Sequence, residues 1–132
     1  MSNDDIPAIR QTALDYIEGF YEGDAARMER SLHPELAKRI SHPDPVSGRS
    51  HLAEMSALAL VGFTRDKAAR PTPKDQQQKD IAVFEVTGNA ASARIVASTW
   101  VDYLHLSKFN GRWVIVNVLW EMKPGETFAA YW

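Results

Sequence analysis

The sequence predicts an α+β domain, in which helices from the first half cover one face of a curved antiparallel sheet built by the second half. Three observations carry this. Apolar residues recur at three- and four-residue steps from Ile6 to Phe20. Asn110-Gly111 separates two apolar-rich runs, a strong hairpin signal because both turn residues must reach positive φ. Gly88-Asn89 separates a second such pair of runs. The 132 residues suit a single domain, 1–132. A chain of this size buries roughly two-thirds of its unfolded surface, enough for one core.

The first helix carries Ile6, Ile9, Ala13, Tyr16, Ile17 and Phe20 on one stripe, with Gln11, Asp15, Glu18 and Glu22 opposite. Asp4 or Asp5 caps its start, and Pro7 is tolerated in a first turn whose N–H groups lack partners anyway. Gly23 ends it, and Asp24 caps a short second helix running to about Leu32. His33-Pro34 stops that helix, because a residue before proline is pushed out of the helical region. Glu35 to Ile40 suits either a short strand or a helical turn. Ser41 to Arg49 is a turn-rich loop. A third helix is expected from about Ser50, with Leu52, Met55, Ala59 and Phe63 on its stripe. Arg65 to Lys79 is polar and without period, an exposed connector long enough to leave room for a lid.

Strands follow: Ile81 to Thr87, then Ala90 to Val101, which runs without a breaker to Phe109. A strand of that length must bend or bulge, and Asp102 is the expected place. Lys123-Pro124-Gly125 closes the last strand, and the aromatic tail from Phe128 to Trp132 is expected to dock.

Composition narrows the function. Hydrophobic residues make up 45% and charged residues 24%, and the net charge of -2 supplies no basic field for nucleic acid. The absence of cysteine removes thiolate metal sites and thiol nucleophiles, and suits a reducing compartment. Met1 to Asp5 is acidic without an apolar core, so no signal peptide is expected, and no run suits a membrane span. A cytoplasmic protein without membrane or nucleic-acid partners is the expectation.

Four segments carry a family resemblance: Asp15-Tyr-Ile-Glu-Gly-Phe-Tyr-Glu-Gly-Asp24, Leu32-His-Pro-Glu-Leu-Ala-Lys-Arg39, Asp102-Tyr-Leu-His-Leu106 and Gly111-Arg-Trp-Val-Ile-Val-Asn117. With the element order, they resemble the nuclear-transport-factor-like superfamily, which includes SnoaL-like cyclases and ketosteroid isomerase. Within it they look like the putative lumazine-binding branch. The resemblance covers nearly the whole chain. It implies a cone-shaped, cystatin-like curved sheet with the N-terminal helices on its concave face, and a small-molecule site without an established reaction.

Hairpin geometry sorts side chains by face. If Phe109 pairs with Arg112, then Trp100, Asp102, Leu104, Leu106 and Lys108 share a face with Trp113, Ile115, Asn117, Leu119 and Glu121. That face mixes bulky apolar and polar groups, as a ligand cavity does. The other face holds Val101, Tyr103, His105 and Ser107 with Val114, Val116, Val118 and Trp120. Its β-branched side chains suit a homodimer contact. A bulge inverts the assignment beyond it.

Asp102 is the candidate catalytic residue. Between Trp100 and Leu104 on a concave face its carboxyl loses water and its pKa rises, as a general acid or base requires. Ketosteroid isomerase, in the resembled superfamily, uses carboxyl groups tuned by an apolar pocket. The alternative is a bulge marker or an ion pair with Arg94 or Arg112. The candidate ligand-binding residues are Tyr16, His33, Trp100, Leu104, Trp113 and Asn117. Each also has a structural reading: core packing for Tyr16, Leu104 and the tryptophans, a helix stop for His33, a strand bend for Asn117. Lys38-Arg39 either anchors an anion or is solvated. His42, His51 and His105 lack metal-ligand spacing, so neither metal nor other cofactor is expected. There is no nucleophile elbow, P-loop or dinucleotide fingerprint.

Three functions follow, in order. The first is a small-molecule-binding protein with an apolar, aromatic pocket. The second is a cofactor-free isomerase, cyclase or dehydratase using Asp102. The third is an accessory protein-interaction domain.

Overall fold

The computed structural model describes residues 5–127. Helix α1 spans Asp5–Glu22 and buries Ile9, Ala13, Tyr16 and Ile17 of the predicted stripe; Phe20 is half-buried, and Tyr21 and the polar-face Asp15 are buried as well. Ile6 stays exposed at its edge. Gly23 ends α1 with φ 71°, and a Cβ there would strike the backbone of Ala68. Glycine is required on both counts. Asp24 caps α2 (Ala25–Ser31) by accepting the Arg27 N–H at 3.1 Å. The proposed cap at Asp4 and the aromatic tail, 128–132, lie outside the described residues.

Strand β1, Leu32–Pro43, starts directly after α2 and resolves the Glu35 to Ile40 ambiguity in favour of a strand. The loop beyond it turns on Asp44, whose carboxylate accepts the N–H groups of Val46 and Ser47. The expected helix from Ser50 is corrected: Ser50–Ser56 is strand β2, antiparallel to β1, and α3 is Ala57–Lys67. Ala53 and Met55 alternate inward while Leu52 and Glu54 face water, a period of two rather than a helical stripe. Ser56 then starts the helix by accepting the Ala59 N–H.

The expected connector begins after α3 rather than at Arg65 and is mostly exposed, as read, but it is tied down. A short 3-10 turn (Lys74–Gln76) and its flanks lie along α1. Thr72 N–H donates to the Tyr21 carbonyl, and Glu22 and Glu18 pair with Lys74 and Lys79.

Strands β3 (Asp80–Thr87) and β4 (Ala90–Val96) turn at Gly88-Asn89; β5 (Trp100–Phe109) and β6 (Arg112–Met122) turn at Asn110 (φ 52°) and Gly111 (φ 78°). Both hairpins follow the sequence signals. The single strand from Ala90 to Phe109 is corrected to two antiparallel strands, reversed at Ala97–Thr99. Ala97 N–H bonds the Trp100 carbonyl, Tyr21 Oη accepts the Ser98 N–H, and Lys123 N–H reaches the Thr99 carbonyl. Tertiary bonds hold this reversal where no glycine or proline marks it.

The six strands form one curved, unclosed sheet in the order β2-β1-β6-β5-β4-β3, with β1 and β6 parallel. The helices cover one face, and the core lies between them. It includes Leu104, Leu106, Ile115 and Val118 against Ile9, Ala13, Tyr16 and Ile17, each worth roughly 1.5–3 kcal/mol if a full aliphatic side chain leaves water.

The bulge expected at Asp102 lies in the partner strand instead. His105 pairs with Asn117 and Leu106 with Ile115, so Val116 is the extra residue. The faces therefore invert along β6. Val118 and Trp120 point inward beside Leu104 and Asp102, while Asn117, Leu119 and Glu121 point outward beside His105, Tyr103 and Val101. Val114, Val118 and Trp120, expected at a dimer contact, are buried within the chain itself, and Val116 is half-buried. No helix among the described residues is long and apolar enough to cross a membrane.

Candidate functional site

The inverted register assembles a polar cluster inside an aromatic wall. Asp102 on β5 is opposite Trp120 on β6, and Lys38 on β1 is beside Val118. Lys38 falls between Leu36 and Ile40 on the inward row of β1, so its side chain crosses the concave face toward Asp102. Tyr16 descends onto the same spot from α1.

The geometry is tight. Lys38 Nζ donates to Tyr16 Oη at 2.6 Å and stands 3.8 Å from Asp102 Oδ1. It lies 5.1 Å from the Tyr16 ring centroid and 5.2 Å from that of Trp120, within range of cation–π attraction. Trp100 Nε1 donates to Asp102 Oδ2 at 2.8 Å. The Trp100 ring is itself fixed edge-on by Phe20 at 5.7 Å and packed by Tyr21 at 5.9 Å. Asp102 is 0% exposed, Tyr16 1% and Lys38 8%. Oδ1 of Asp102 is fully buried without a hydrogen-bond donor among the described residues. Such an atom carries an unrecovered desolvation cost.

Burial raises the Asp102 carboxyl above the ordinary aspartate range, against the opposing pull of Lys38, of the Trp100 N–H and of the neighbouring Tyr16 hydroxyl, which lies outside direct hydrogen-bond geometry. Burial lowers the Lys38 amine, and the charge of Asp102 partly restores it. Tyr16 is held well above the usual phenol by burial and by the same carboxylate. The hydroxyl stays a phenol that accepts from Lys38 and keeps its own proton to donate. A carboxyl and an amine drawn together toward neutrality can exchange a proton with a bound molecule.

Of the sequence-predicted residues, Tyr16, Trp100 and Asp102 come together here, and Leu104 (1% exposed) packs one step along the same face. Trp113 does not join them: its Nε1 donates to Asp5 Oδ1, and its carbonyl accepts from Thr12. His33 packs edge-on against Phe109 at 4.9 Å, and its Nδ1 accepts the Glu35 N–H. Phe109 is seven residues along β5 from Asp102, roughly 20 Å. Asn117 is corrected to the outer face, where it accepts from Arg39 and contacts His105 Nδ1 at 3.3 Å. The Val116 bulge is the reason. Trp120, expected at a dimer contact, joins the site instead, and Lys38, read with Arg39 as an anion anchor or a solvated cation, is buried in it. An alternating reading of Leu36, Lys38 and Ile40 would have turned Lys38 inward.

A comparison with curated proteins finds no match. Solved structures give the fold. An NTF-2 like protein of unknown function from Silicibacter pomeroyi is 20% identical, with TM-score 0.71, over 93% of this chain and 100% of that one. One from Shewanella baltica is 22% identical, with TM-score 0.70, over 95% and 99%. An NTF2-like protein with a cystatin-like fold from Novosphingobium aromaticivorans is 14% identical, with TM-score 0.60, over 93% and 84%. The family model described as Putative lumazine-binding matches residues 4–121, which takes in α1, the strands and every member of the cluster. The chain belongs to the Putative lumazine-binding family and has the NTF2-like fold.

Proposed function

We propose that this chain is a small-molecule-binding protein whose ligand sits against Tyr16, Lys38, Trp100, Asp102 and Trp120. The orphaned Oδ1 of Asp102 is the observation that carries the reading. A buried acceptor of this kind suits a ligand N–H or O–H, while the Lys38 ammonium and the Tyr16 hydroxyl suit a ligand carbonyl. The Trp100 and Trp120 rings suit a flat apolar body. The family name fits that description, since lumazine is a planar heterocycle with donors and carbonyls on one edge. Native mass spectrometry of the purified chain, followed by fluorescence titration with lumazine, tests the reading. A co-purifying planar compound or saturable tryptophan quenching supports it, and the absence of both would sink it.

A second reading is a cofactor-free isomerase, cyclase or dehydratase with Asp102 as acid or base. Lys38 and Tyr16 favour it, because they supply the charge stabilisation that a lone carboxyl lacks. An accessory interaction domain has weaker support, in the exposed Tyr103 and Leu119 of the outer face. We propose that this face, rather than the buried valines, forms a homodimer. Arg94, beside Tyr103 across the β4–β5 ladder, stacks its guanidinium over the exposed Phe84 ring and extends this face. A cysteine-free chain also suits the reducing cytoplasm.

A further inference from the structure

We propose that Lys38 captures a carbonyl compound covalently, its ε-amine forming an imine with an aldehyde or ketone held between Tyr16, Asp102 and Trp120. The inference rests on the ligand-binding reading and names its substrate class. Every other lysine of the chain is exposed or half-buried, whereas Lys38 is packed into the concave face with about a tenth of its side chain still reachable. Its amine is aimed by the 2.6 Å bond to Tyr16 Oη. A desolvated amine is the form of lysine that attacks carbonyl carbon, and burial pulls this one in that direction.

The 3.8 Å gap to Asp102 Oδ1 is the second argument. It exceeds a direct hydrogen bond, and Oδ1 has no hydrogen-bond donor among the described residues. A hydroxyl on a carbon joined to Nζ would fall within reach of that oxygen. The chemistry then balances with these groups alone. The neutral amine's lone pair forms the N–C bond while the carbonyl π pair moves to oxygen, which takes a proton from the Asp102 carboxyl. The nitrogen returns a proton to Asp102. Asp102 then protonates the carbinolamine hydroxyl, the C–O bond breaks, water departs, the nitrogen lone pair forms C=N, and the iminium N–H gives its proton back to the Asp102 carboxylate. The sum is amine plus carbonyl giving imine plus water, with no oxidant or reductant.

The test uses the full chain near neutral pH with 2-naphthaldehyde and sodium cyanoborohydride, which reduces an imine to a stable secondary amine. Peptide mapping by mass spectrometry should find the naphthylmethyl group on Lys38 ahead of every exposed lysine. Asp102→Asn should slow labelling of Lys38 by about tenfold or more, and Lys38→Arg should leave only slow, scattered labelling elsewhere. Equilibrium dialysis with 2-naphthol, which has the ring but no carbonyl, runs beside it. Label confined to exposed lysines while 2-naphthol binds overturns the imine and keeps the binding site. Failure of both overturns the imine and counts against the binding site too. The mapping is done on the wild-type chain, so a variant that fails to fold does not blunt it.

Discussion

Lys38 Nζ and Asp102 Oδ1 face each other at 3.8 Å in the most buried ion pair among the described residues. At an effective dielectric of about 20, their attraction is roughly 4 kcal/mol. Desolvating two ions costs several kcal/mol each, so the pair contributes little net stability. Its retention in a core otherwise filled by aliphatic and aromatic groups is better explained by the site than by the fold.

Removing one partner should therefore cost far more than removing both. Lys38→Met leaves a buried carboxylate unpaired and should destabilise the chain by about 3–5 kcal/mol, or force Asp102 to bind a proton. Lys38→Met with Asp102→Leu should recover most of that loss. Urea denaturation of the single and double variants checks it. A double-variant loss equal to the sum of the Lys38→Met and Asp102→Leu losses would mean that the pair is not coupled.

The acid limb of stability should depend on Asp15, with Asp5, Glu18 and Asp44, which are lowered in the same sense, rather than on Asp102. Burial pushes the Asp15 carboxyl up, but hydrogen bonds from Arg30, Arg27 and Gln11 outweigh it and hold the group below its ordinary value. The unfolded chain then binds the Asp15 proton more readily, so its stabilisation is full above about pH 4 and fades as pH falls through the folded value. Asp102 has the opposite sign. With its folded pKa raised, the native state binds the proton first, and its contribution falls as pH rises through the window above the unfolded value. Thermal melts across pH should show Asp15→Asn flattening the acid limb and Asp102→Asn leaving that limb in place. A wild-type acid limb in Asp15→Asn would refute the assignment.

Outer-face side chains should control assembly. Tyr103 and Leu119 are adjacent across the β5–β6 ladder at 47% and 49% exposure, and Phe84 and Arg94 extend the patch toward β3. Leu119→Asp places a charge at its centre and should shift a dimer to monomer at micromolar concentration in sedimentation velocity. A wild-type chain that sediments as a monomer would sink the dimer.

The physical signals explain which parts of this architecture are legible in the sequence. Asn110-Gly111, Gly88-Asn89 and Asp24 act locally, through φ preference and side-chain capping, and each marks its element correctly. The reversal at Ala97–Thr99 is held by bonds from Tyr21 and Lys123, far away in sequence. The Val116 bulge has no local mark, since valine is at home in any strand. That one unmarked residue sent Asn117 outward and Trp120 inward. Asp102, Trp100 and Tyr16 were legible because all precede the bulge, whereas Lys38 needed β1 to be read as a strand.

The final prediction separates a binder from an enzyme. If Asp102 Oδ1 receives a ligand donor, Asp102→Asn should weaken lumazine or another planar ligand by about 1–3 kcal/mol, because a charged acceptor becomes a neutral amide. Asn117→Leu, on the outer face, should leave affinity unchanged. An effect of Asn117→Leu equal to that of Asp102→Asn would place the ligand elsewhere. Catalysis adds a requirement that binding does not. A carbonyl ligand incubated with the protein in heavy water should gain deuterium at its α-carbon, and Asp102→Asn should abolish the uptake. Affinity that depends on Asp102 without any uptake across a carbonyl panel leaves a binding protein. Uptake that survives Asp102→Asn would assign the proton transfer to Tyr16 or Lys38 instead.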